Sequence, residues 1–143
     1  MRPSNSSANF IKIPVLPQLP RNERLMSTQT LINQIDDQPD LLHVDITPAV
    51  LKLVDLGLAG LQAVLDLLDA PNLLTRKRAQ RVVEGVIMQR HGWVAGQGYT
   101  TPDGQEKTQA LLNANGDYQA DAASETRRAS IEKWRRWLES QQK

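Results

Sequence analysis

Between Thr47 and Gly92 the chain is punctuated as a succession of helices rather than strands. Thr47-Pro48 pairs a capping hydroxyl with a proline at the first helical position, where its missing N–H costs nothing. Val50, Leu51, Val54 and Leu56 give the first helix its apolar side, and Gly57 can close it. Leu58, Leu61, Val64, Leu65 and Leu68 then recur at three- and four-residue steps, the period of a second amphipathic helix slightly weakened by Gly60. Pro71 breaks that pattern. A longer third helix to Arg90 carries Ala79, Val82, Val83, Val86 and Ile87 as its stripe, with Gly92 as its exit.

The flanks extend this grammar. Ser27 or Thr28 caps a short helix with Leu31, Ile32 and Ile35 that ends before Pro39, and residues 40–46 read as an irregular connector. Gly92, Gly96, Gly98, Pro102 and Gly104 make residues 92–104 a loop. Helix returns over roughly residues 105–114 and stops at Asn115-Gly116. Ser124 is read as the cap of a terminal helix aligning Ile131, Trp134 and Leu138. Aromatics are only 4% of the chain, so the core is aliphatic, which favours helix on helix over a sheet sandwich. The expected fold is all-α, a compact helical bundle over residues 27–143 behind an irregular tail at residues 1–26.

That tail is dense in Ser and Asn, then carries Pro14, Pro17 and Pro20 at a spacing suited to polyproline II and not to a helix. Phe10, Ile11, Ile13, Val15, Leu16 and Leu19 add an apolar strip. Disorder, packing on the chain's own domain and docking to a partner are all open readings of it.

Composition narrows function by exclusion. The absence of cysteine rules out disulfides, thiolate metal sites and a cysteine nucleophile. With His43 and His91 as the only histidines, a multi-histidine metal site is not expected. No stretch approaches the roughly 18 apolar residues of a membrane span, since Gln62 and Asp66 interrupt Leu56–Leu68. No secretory leader is visible either, so a soluble cytoplasmic protein without a membrane role is the expectation. Nucleophile elbow, Walker loop and paired-histidine motifs are missing, which points away from an enzyme. Asn113, Asn115, Asp117 and Asp121 mimic part of a calcium loop, but Tyr118 and Ser124 stand where glycine and a bidentate glutamate are needed. No cofactor is expected.

Charge is uneven along the chain although the net value is +1. Residues 28–70 hold seven acidic side chains and one basic, whereas residues 71–143 hold twelve basic and eight acidic. The simplest account is mutual attraction of the two halves within the fold.

The stretch from Leu56 to Ile87 has a further character. Leu61, Leu65 and Leu68, the Pro71-Asn72 turn, then Arg76, Ala79, Val82 and Val83 resemble one HEAT-type repeat, a pair of antiparallel helices that stacks on neighbouring pairs. The likeness spans about 32 of 143 residues. Thr75 stands where the family usually has a branched apolar residue, and no second copy recurs at a repeat period. The resemblance implies a short α-α stack and recognition on a helical surface.

Three places emerge as candidate partner sites. Arg76, Lys77, Arg78, Arg81 and Arg90 form the densest basic cluster, with Lys77, Arg78 and Arg81 on neighbouring faces. They are read either as a site for phosphate or an acidic partner, or as a solvated face. Trp93 and Tyr99 lie in the glycine-rich loop, as a recognition surface or as a pin for a connector. Trp137 is offset from Trp134, placed to seal the core edge or to anchor a partner. A second basic group, Arg127, Arg128, Lys133, Arg135 and Arg136, reads as the charged outer face of the last helix. The leading expectation is a non-enzymatic module that binds another protein as adaptor, assembly factor or inhibitor. The alternative is nucleic-acid binding through the basic face of residues 76–90.

Overall fold

Thr47 is 1% exposed and ties two elements together. Its Oγ1 accepts from the Val50 amide at 3.1 Å, capping the helix that follows, and donates to the Ile35 carbonyl at 2.8 Å. The computed structural model describes residues 28–142, so the expectations for residues 1–26 and for a cap at Ser27 lie outside the described residues. Within it, helix α1 covers residues 28–33, followed by α2 (Pro48–Asp55), α3 (Leu58–Val64), a 3-10 turn (Leu65–Asp69) and α4 (Leu73–Arg90). Two short strands, β1 (Trp93–Val94) and β2 (Gly98–Tyr99), precede α5 (Gly104–Ala114) and α6 (Ser124–Gln141). The fold is all-α apart from that hairpin.

The stripes bury where their period puts them. Leu61, Val64, Leu65 and Leu68 join Ala79, Val82, Val83, Val86 and Ile87 in one core, with Ile131, Trp134 and Leu138 of α6. Trp134 is 0% exposed, and Trp137 stacks edge-on to it at 5.4 Å between ring centroids. The helix over Leu58–Leu68 tightens into the 3-10 turn from Leu65.

Four local expectations are corrected. In α2 the buried side chains are Ala49, Val50, Leu53 and Val54, whereas Leu51 and Leu56 are 55% and 46% exposed. Gly60 is required rather than merely tolerated: a Cβ there would sit 1.8 Å from the Leu53 carbonyl oxygen, so α2 and α3 approach backbone to backbone. The glycine-rich segment is not all loop, because Trp93 pairs with Tyr99 and Val94 with Gly98 in antiparallel register. The α6 cap position belongs to Ala123, which makes no side-chain cap, and Ser124 is the first helical residue.

The acidic first half and the basic second half meet. Asp36 pairs with Arg78, Asp45 with Arg81 and Asp66 with Arg135, and Asp69 receives both Arg127 and Arg128. Chiefly the hydrogen bond from Arg128 holds the Asp69 carboxyl below the usual aspartate range. These pairs lace the turn after α1, the 40–46 segment and the 3-10 turn onto α4 and α6.

Candidate docking loop

The connector at residues 40–46 is an ordered loop. The Asp40 amide donates to the Ile46 carbonyl, and the Ile46 amide to the His43 carbonyl, each at 2.9 Å. Asp40 Oδ1 accepts from the amides of Leu42 and His43 at 2.8 and 3.0 Å, fixing the turn from inside. Those two amides are the main reason its carboxyl sits below the ordinary aspartate range.

Two arginines of α4 then fasten the loop to the body. Arg78 Nε donates to the Val44 carbonyl at 3.0 Å while its Nη1 holds Asp36 at 2.8 Å. Asp36 offers its other oxygen to the Thr75 hydroxyl, also at 2.8 Å. Arg81 Nε grips Asp45 at 2.7 Å, and its Nη1 reaches Glu84 at 2.9 Å. Ile46 packs against the core as the loop leaves for α2.

With both ends and the middle secured, the outward residues are Leu41, Leu42, His43 and Val44. Leu41 is 96% exposed and Leu42 87%, beside Val44 at 51%. A leucine left in water forgoes about 1.5–3 kcal/mol of burial. Sequence reading missed these residues because adjacent leucines in a segment without period give no sign of which way they face. The available signal was Pro39-Asp40 just before them, a turn-starting pair.

The residues singled out from sequence are placed elsewhere, in separate groups rather than at one site. Arg76 spans the carbonyls of Ala70, Pro71 and Ala120, binding the 3-10 exit to the segment before α6. Arg78 is only 5% exposed, so it does not lie on an outer face with Lys77 and Arg81. Lys77 is exposed at a cleft of about 310 Å³ shared with Asp45, Gln80, Arg81 and Glu84, whose carboxylates Arg81 already engages. Arg90 lies 5.7 Å from the Trp137 ring centroid and donates to Gln141 at 3.0 Å. Trp93 and Tyr99 are half-buried and pack edge to face at 5.3 Å across the hairpin.

Among the described residues no group of three or more acidic or histidine side chains is placed to hold a metal ion. Nor is any helix there long and apolar enough to cross a membrane. Compared with known proteins, the chain matches no family model, no curated protein and no solved structure.

Proposed function

We propose that this chain is a non-enzymatic protein–protein interaction module whose primary contact is the loop at residues 40–46. The observation that carries this reading is the near-complete exposure of Leu41 and Leu42 on a backbone held by its own hydrogen bonds and by Arg78 and Arg81. A preorganised loop loses little conformational entropy on binding, so burial of the two leucines is retained as affinity. An adaptor, an assembly factor and an inhibitor of another protein all use such a surface, and a cytoplasmic setting belongs to the same proposal.

The HEAT-type reading of α3, the 3-10 turn and α4 is part of this proposal too. It is supported by the burial of Leu61, Leu65 and Leu68 in the same cluster as Ala79, Val82 and Val83. Nucleic-acid binding through residues 76–90 draws less support, since Arg76, Arg78 and Arg81 are engaged by carbonyls and carboxylates of the chain itself.

The test compares proteins co-purifying with the wild-type chain and with a Leu41→Ser/Leu42→Ser variant at native expression level. A protein retained by the first and lost by the second supports the proposal. Identical sets of co-purifying proteins contradict it.

A further inference from the structure

The carboxylates around the exposed leucines fall into two groups. Asp36 and Asp45 are neutralised by Arg78 and Arg81. Asp37 and Asp40, on the approach to Leu41, are exposed and have no lysine or arginine partner among the described residues; Asp40 has only His43 at 3.7 Å. Leu41 and Leu42 thus follow closely in the chain on two carboxylates that no lysine or arginine of the described residues pairs, of which Asp40 also accepts from the Leu42 and His43 amides.

Resting on the docking role proposed above, we infer that its occupant is a basic amphipathic segment of a partner protein. The segment's apolar side covers Leu41 and Leu42, and its lysines or arginines meet Asp37 and Asp40. Charge argues against a second copy, an anionic lipid surface and a nucleic acid. A second copy docking symmetrically through the same loop brings Asp37 and Asp40 against their own counterparts. An anionic lipid surface or a nucleic acid meets the same repulsion. A basic partner converts both carboxylates from an obstacle into attraction, which raises the association rate and fixes orientation.

The probe is a fluorescent helical peptide of leucine and lysine with its leucines on one face. It is titrated into the full chain, alongside a charge-reversed leucine–glutamate peptide and vesicles of phosphatidylcholine and phosphatidylserine. The wild-type chain is expected to bind the leucine–lysine peptide, with amide shifts confined to the neighbourhood of residues 37–46. Affinity is expected to fall at least about tenfold in Leu41→Ser/Leu42→Ser, and several-fold in Asp37→Asn/Asp40→Asn or at high salt. Both variants change exposed side chains, and unchanged thermal midpoints verify their folding.

Equal binding of the two peptides, lost together in Leu41→Ser/Leu42→Ser, overturns the basic partner and leaves the docking loop standing. Binding indifferent to that double variant overturns the loop itself. Leucine-dependent capture of the vesicles, or a dimer dissolved by Leu41→Ser/Leu42→Ser, assigns the surface to lipid or to a second copy and overturns the inference.

Discussion

Arg78 donates from Nε to the carbonyl oxygen of Val44 at 3.0 Å, across a sequence separation that joins the middle of α4 to the loop exposing Leu41 and Leu42. A guanidinium in a fork geometry can hold a carbonyl and a carboxylate at once, and here it takes Val44 and Asp36. Arg78→Met takes that donor from both, and the half-exposed Asp36 and Val44 turn to water instead. The variant is expected to lose roughly 1–2 kcal/mol in urea unfolding. Hydrogen exchange at the Leu42 and His43 amides is expected to accelerate before global unfolding does.

Gly60 makes a contrasting case. In an isolated helix alanine is worth about 1 kcal/mol more than glycine. In this fold the added methyl meets the Leu53 carbonyl, backbone that moves only with α2 itself. Gly60→Ala is therefore expected to destabilise by roughly 1–3 kcal/mol, read as a lowered thermal midpoint. A stabilised variant would refute the close approach of α2 and α3.

Asp69 supplies an acid-sensitive latch between the 3-10 turn and α6. Its pKa is lowered in the fold, mainly by the hydrogen bond from Arg128, so its contribution is present above the unfolded value of 3.8. That contribution is lost as pH falls through the lower folded pKa. The stability gap between wild type and Asp69→Asn is expected to hold at neutral pH and to close progressively in acid. Denaturant titrations at stepped pH check it, and a gap that widens in acid would contradict the pairing.

Much of the scaffold was legible because its cues are local. Thr47-Pro48 names a cap, Asn72 after Pro71 caps α4 through the Leu74 and Thr75 amides, and the leucine and valine stripes mark buried faces. Arg78 was not legible, since a charged letter between Lys77 and Ala79 reads as surface. Only the fold shows that Asp36 and the Val44 carbonyl arrive to meet it. Leu51 and Leu53 were confused for a related reason: in the two-turn helix α2 a stripe has too few repeats to set its phase. The loop at residues 40–46 was illegible from the opposite side, because Leu41 and Leu42 are apolar letters whose exposure follows from tertiary latches and not from periodicity.

Because Leu41 and Leu42 contact water rather than the core, their replacement by serine is expected to change stability by no more than about 0.5 kcal/mol. Matched unfolding curves for wild type and the double variant test this. A loss of several kcal/mol would mean that the loop packs on the fold.

The most direct measurement places a photo-crosslinking amino acid at position 42 of the full chain and irradiates cells that express it. A discrete protein adduct is expected, absent when the crosslinker stands at an exposed polar position of α6 such as Arg136. Adducts from Arg136 with none from position 42 would contradict a docking role for the loop.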